Sequence, residues 1–385
     1  MTTYHASSLT SRNIAAALSI GTIAVLMVGL QPILLGELVE SHTVTLEGIG
    51  IVAMGEIIAL GLGVLISEML LPLRQLKLIT IVAAILAMLA DLATTFATGD
   101  TKVALVRTIA GFAEGILVWG TTSIIVQTEN PDRVGGIFFV IQTIAQAGLG
   151  ALLAIAVIPQ SGWQGGFTVL AVLSLFPCAI VFLLPVYLAP LEEKSTSGFT
   201  WSVATVLPLI IVFFQLAATG AFWAYAEPLG KNVGFDAQAA QTMLSGVLVM
   251  QVIGGLVATF AVRHFNAIPV LVFGTIVLGS SVLMTHGMRI GNTVSFAVAC
   301  AVFGFSWLLL LPFQIKLAFR ADSTGRVATL VPAFQLLGSA FGPMIVSLAI
   351  QGDDASAVPL ISTSFGAIAL VLLLVESLRF KRTRR

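Results

Sequence analysis

Apolar residues run along this chain in long blocks separated by brief polar punctuation. Twelve blocks can be cut out, at 13–35, 46–66, 78–97, 103–126, 134–158, 166–188, 203–226, 239–262, 267–284, 294–317, 327–350 and 358–378. A helix rising ~1.5 Å per residue needs about 20 apolar residues to cross a bilayer core, and all but the short ninth block supply them. The connections are as brief as GDTK, ENPDR, PQSGWQ and QGDDAS, so none holds a soluble domain. The first block lacks an obvious cleavage site before a second flank of charge and is read as a retained helix. The pattern predicts an all-α integral membrane protein with 12 transmembrane helices.

Composition agrees. The chain is 58% hydrophobic and 9% charged, against about 25% charged in a soluble domain. Acidic and basic residues balance at 18 each, which gives no reason to expect a nucleic-acid partner. Cys178 and Cys300 each lie inside an apolar block and suggest small buried thiols rather than a disulfide framework.

Lysine and arginine set the orientation. With the N-terminus in the cytoplasm, the inner segments hold fourteen of these residues and the outer ends hold four, Lys102, Arg107, Lys231 and Arg289. A multi-pass protein of the plasma (bacterial inner) membrane with both termini cytoplasmic follows. The longest polar interval, 189–200, reads APLEEKSTSGFT and sits mid-chain. It is read as a cytoplasmic linker between an N-terminal six-helix bundle, 1–188, and a C-terminal one, 201–385, that ends in a short basic tail. The halves echo each other: QPILLGE answers AEPLGK, GEIIALGLG answers GVLVMQVIGG, and GFAEGILVWG answers FGFSWLLLLP. Two pseudo-symmetric bundles with a site between them at mid-membrane are a recurring transporter plan.

Charges inside the blocks are the candidate chemistry. The fourth block carries Arg107 and Glu114; seven residues is close to two turns, so both point to one face, roughly 10 Å apart along the axis. Glu56 lies near the middle of the second block and Asp91 in the third. Buried charges in a bilayer are expensive and mark ion pathways or structural pairs. Burial favours the neutral acid, so these carboxyls are candidates for binding and releasing protons. Glu37 and Glu227 fall at outer helix ends, where residence at the interface explains them. A second set, Trp119, Gln142, Gln146, Gln215, Trp223, Tyr225, Trp307 and Gln335, could line a cavity for a small solute with polar and flat apolar parts. Singly, the glutamines are better explained by interhelical hydrogen bonds, and Trp223 and Tyr225 by an aromatic belt.

With these residues in view, the chain resembles the major facilitator superfamily over nearly its whole length. The run from Leu105 to Gly111 is similar to the family's motif of an arginine followed four residues later by glycine. Gly162, Trp163 and Phe167 resemble its Gly-Trp-Arg-x-x-Phe pattern. The loop after the second block, with Glu68, Arg74 and Lys77, sits where the family's acidic-basic gating motif belongs; the acid is shifted, the arginine does not follow it directly and Pro72 intrudes. The fifth block lacks the Gly-Pro pair of many antiporters in the family, whereas the run from Gly338 to Pro343 in the eleventh resembles it.

The expectation is a secondary active transporter of a small organic solute, working by alternating access with a proton as coupling ion, in contact with lipid and acting as a monomer. No cofactor or metal is expected: there is no phosphate-binding Gly-x-x-x-x-Gly-Lys loop, and the four histidines, His5, His42, His264 and His286, lie in loops or at helix ends. An enzyme acting on lipid-linked substrates needs acids or histidines grouped at one membrane face, which the short loops do not supply. A transporter-like receptor is the other alternative.

Overall fold

A computed structural model describes residues 9–185, 188, 202–322, 326–350, 352 and 354–383. The expected linker 189–200 and the last two tail residues lie outside that set. The helices are α1 (Ser11–Glu40), α2 (Leu46–Leu70), α3 (Leu76–Thr94), α4 (Asp100–Ile125), α5 (Pro131–Leu152), α6 (Ile158–Ser174), α7 (Val203–Trp223), α8 (Ala237–His264), α9 (Ala267–Thr285), α10 (Thr293–Ala321), α11 (Arg326–Ala349) and α12 (Val358–Thr383). Among the described residues, eleven apolar helical stretches are long enough to cross a membrane, and one of them, Arg133–Leu183, has 51 residues. That is about 75 Å of helix, more than twice the ~30 Å hydrocarbon core. It breaks at Gly162, whose φ of 59° and ψ of −162° no helix accommodates, and so serves as two crossings. The face where α1 begins and α12 ends is here the terminal face; the other is the distal face.

Two helices at equivalent positions of the repeat are broken. In α1 the break falls at Val25, with φ −110° and ψ 8°, seven residues before Pro32. The Val25 carbonyl accepts a hydrogen bond from Gln146 Nε2 of α5 at 2.7 Å, the side-chain repair that lipid requires of a broken helix. After α7, the chain turns at Ala224 and resumes as a short helix, Ala226–Asn232. Pro228 lies four residues beyond Ala224, where its ring excludes that carbonyl from the helical ladder. The expected sixth block to 188 is also interrupted: α6 ends at Ser174 and a short helix, Phe176–Ile180, follows with Pro177 inside it.

Side chains facing outward are large and apolar, among them Leu65, Phe273, Val298 and Leu378. In water such a belt would drive aggregation; in a bilayer it is the solvated surface. The ionisable groups within the spans, Glu56, Asp91, Arg107 and Glu114, are turned inward. Close packing holds each bundle together: a Cβ on Gly111 of α4 would strike the Glu56 carbonyl of α2, and one on Gly254 of α8 would strike the Phe305 carbonyl of α10. Small residues at these crossings let backbones touch, which is how helices associate without a hydrophobic driving force.

The halves meet through α2 against α11 and α5 against α8. Polar contacts joining them gather at the distal face: Lys231 Nζ donates to Glu40 Oε2 at 2.9 Å, the Gly352 amide donates to Glu47 Oε1 at 2.8 Å, and Gln241 Nε2 donates to Glu37 Oε1.

Candidate functional site

Arg107 is the hub of the first bundle and is fully buried. Its Nη2 donates to Glu56 Oε1 of α2, and its Nη1 donates to Asp91 Oδ1 of α3 at 2.6 Å. Glu114, two turns along α4, comes within 3.5 Å of Nη2 through Oε1. The shared face expected from the sequence is therefore real, but the arginine reaches first across to two other helices. Asp91 Oδ2 accepts from Ser174 Oγ of α6 at 3.0 Å, and the guanidinium lies 5.2 Å from the centroid of the buried Phe167 ring. A cation over an aromatic face, with planar donors aimed at separate carboxylates, is a placement that lysine cannot copy.

The four ionisable groups are not equally enclosed. Side-chain exposure is 0% for Arg107, 1% for Glu56, 2% for Asp91 and 8% for Glu114. Glu114 Oε2 has no hydrogen-bond partner among the described residues. Glu56 and Asp91 pin the guanidinium, while Glu114 holds it loosely. One guanidinium thus faces three carboxyls, so the cluster balances only when two of them are neutral, and a carboxyl becomes neutral by holding a proton.

The second bundle has an amide chain instead. Gln335 Nε2 donates to Gln314 Oε1 at 2.8 Å, Gln314 Nε2 to Gln215 Oε1 at 3.0 Å, and Gln215 Nε2 to Thr275 Oγ1 at 2.6 Å. Thr275 closes the chain on the Leu271 carbonyl at 2.6 Å. Gln215, Thr275, Trp307 and Gln314 border a small cavity of about 10 Å³, room for about one water. The rings of Trp223 and Trp307 meet edge to face at 5.8 Å, and both pack on Phe303.

Other predicted residues go elsewhere. Trp119 is buried within the first bundle and its Nε1 donates to Glu68 Oε2 at 2.7 Å, so this indole is committed to a helix contact rather than to the amide chain. Gln146 repairs the break in α1, and Gln142, four residues away, is half-buried on α5. Of the residues expected in the gating loop, Glu68 lies in the last turn of α2 and is taken by Trp119, Lys77 opens α3 and its Nζ donates to the Phe182 carbonyl at 3.1 Å, and Arg74 is exposed in the 3-10 turn Leu73–Gln75. The belt reading of Trp223 and Tyr225 does not hold, because both are buried. Nor are Glu37 and Glu227 solvated at the outer ends: both are buried where the halves meet. The sequence did not reveal the roles of Ser174, Phe167, Thr275 or Gln241, each of which depends on a partner at least 14 residues away.

Against known proteins, a sequence model described as Major Facilitator Superfamily matches residues 13–343. Solved structures of similar shape include the nucleoside transporter NupG, at 15% identity and a TM-score of 0.69 over 96% of this chain and 99% of that one. Another is a bacterial homologue of the human lysosomal transporter Spinster in an inward-facing and occupied conformation, at 12% identity and a TM-score of 0.72 over 94% of this chain and 96% of that one. No curated protein sequence matches significantly. At these identities the structures speak to the fold.

Proposed function

The chain belongs to the major facilitator superfamily, and from that premise we propose that it is a proton-coupled secondary transporter of a small organic solute. The observation that carries this reading is the set of three carboxyls around the one guanidinium of Arg107. Fully ionised, it would hold two uncompensated negative charges out of water, at several kcal/mol each. Protons on two of the three remove that penalty, and a change in water access is enough to load or discharge one.

Glu114 is the carrier of choice, since it is the most accessible of the three and the most loosely held; Glu56 is the second. Arg107 Nη2 stays 3.5 Å from Glu114 Oε1 until substrate or helix movement separates them. The bundles 1–188 and 201–385 rock about the linker 189–200, and the distal contacts described above are the closed side of that cycle. The lysine and arginine count supports a terminal face in the cytoplasm, and on that reading a state closed at the distal face is inward-facing. Gln215, Gln314, Gln335, Trp223 and Trp307 supply amides and flat rings for a solute with both polar and apolar parts.

The test is Glu114→Gln in proteoliposomes carrying an internal pH dye, screened with a panel of nucleosides, sugars, amino acids, aromatic acids and organic cations. Wild-type protein should move protons with one member of the panel. The variant should lose gradient-driven movement of that solute and keep its exchange across the membrane. Full pH-dependent transport by the variant removes Glu114 from the mechanism.

A further inference from the structure

The distal seal contains a second set of buried carboxyls that the coupling cluster does not involve. Glu37 of α1 accepts from Gln241 Nε2 of α8, and the same nitrogen lies 3.3 Å from Glu227 Oε1 on the short helix Ala226–Asn232. Glu227 is 0% exposed and pairs with Lys231 at 3.0 Å, which in turn reaches Glu40 of α1 at 2.9 Å. The Glu227 carboxyl is pressed so closely on α1 that a Cβ on Gly36 would overlap it. This one side chain therefore belongs to the second half and is seated in the first.

Its hydrogen bonding is incomplete in a particular way. Glu227 Oε2 and Gln241 Oε1 are both buried acceptors without a partner among the described residues. Gln241 has already directed its amide nitrogen to two carboxylate oxygens, so what the pocket lacks is a donor. The charged and titratable groups facing Glu227 are Lys231 on its own helix and Glu37 of α1, with Glu40 beyond Lys231 and His42 beside Glu40. Glu40 is half-solvated, with 59% of its side chain exposed, so the enclosed charges are two carboxyls and one ammonium. Burial, opposed by Lys231, pushes the Glu227 carboxyl up to about 8.

We propose that the distal seal is itself a proton-binding site, in which one proton on the Glu227 carboxyl, seated beside Glu37, keeps the two halves closed at that face. With the proton present, the carboxyl supplies the missing donor. With it lost, two like charges face each other across the interface, and only separation of the halves lets water reach them. The sign follows: the closed state binds the proton more tightly than a solvated open state does, so closure is favoured at low pH and is lost as pH rises through the shifted value. The inference rests on alternation between the halves but not on coupling at Arg107, and its test reads distances without any solute or gradient.

Thr98 and Gln238 are exposed on the distal face in opposite halves. Thr98→Cys and Gln238→Cys, spin-labelled in full-length protein lacking Cys178 and Cys300, give the distance across the seal in nanodiscs by pulsed electron resonance. From about pH 6 to about pH 9.5 the wild-type distance should change from one short population to a growing longer one. Glu227→Gln should stay short throughout. Glu37→Gln, which removes the like charge, should move the transition down by about one pH unit, and it keeps the test decisive if the first variant does not fold. A wild-type distance that ignores pH overturns the proposal. So does a Glu227→Gln variant that opens as wild type does, or a Glu37→Gln transition that stays in place or moves upward.

Discussion

In the first bundle α4 crosses α2 where Gly111 lies against the Glu56 carbonyl; in the second, α10 crosses α8 where Gly254 lies against the Phe305 carbonyl. These are equivalent helices of the repeat, docked by the same device. The groups they enclose differ. The first bundle buries a guanidinium among three carboxyls, and the second strings three glutamines to a threonine with no charge in the chain. Packing has been kept in common while chemistry has diverged, as expected if one half handles protons and the other contacts a neutral part of the solute.

Removing the hub should have the largest effect. Arg107→Ala leaves three buried carboxyls without a cation, and breaking a buried ion pair from one side costs about 3–5 kcal/mol. The variant should show little folded protein in detergent above neutral pH and recover part of its thermal stability as the medium is acidified, because protons then do what the guanidinium did. A pH-independent loss would mean that Arg107 acts mainly by filling space.

Next in size is a test of what the halves share. Gly111→Leu and Gly254→Leu each force a side chain into a neighbouring backbone carbonyl, where nothing flexible can yield. Overpacking costs about 1–3 kcal/mol or more. Both variants should lose thermal stability to a similar degree, and a large difference between them would show that the two crossings are not equivalent after all.

Smaller still is Gln314→Leu, which breaks the amide chain at its centre. It strands the buried Gln215 Oε1, at about 1–3 kcal/mol for an unsatisfied buried group, and the half-buried Gln335 Nε2, which costs less. Transport should weaken through solute affinity with the ratio of protons to solute unchanged. A changed ratio would place coupling in the second half and undo the comparison.

How far the sequence discloses this arrangement depends on the range of the interaction. Bilayer-length blocks, their polar breaks and the shared face of Arg107 and Glu114 are local, so periodicity and spacing reveal them. The convergence of Glu56 and Asp91 on Arg107 is not, since these partners are 51 and 16 residues away and each could equally have been an independent acid. The burial of Glu37 and Glu227 was hidden for a related reason. A helix end looks solvated until the other half of the chain is laid across it. The Gly-Trp pattern at 162–163 was legible as a motif, but that Gly162 turns the chain between two crossings is visible only from its positive φ.

The smallest effect concerns Trp119, because its expected place in a cavity and its observed place on Glu68 lead to opposite results. Trp119→Phe retains most of the ring that packs between α1, α3 and α4 and removes the indole N–H that donates to Glu68 Oε2 at 2.7 Å. Glu68 is exposed and water replaces the lost donor, so the change should cost only about 0.5–1.5 kcal/mol, read as a modest drop in melting temperature. Solute affinity and proton coupling should stay as in wild type. Glu68→Ala, which removes the acceptor, should give a similarly small loss, and combining the two should add little, because both remove one hydrogen bond. An affinity change in Trp119→Phe without a stability change would return this indole to the solute pathway and give the first bundle a part in binding as well as in proton handling.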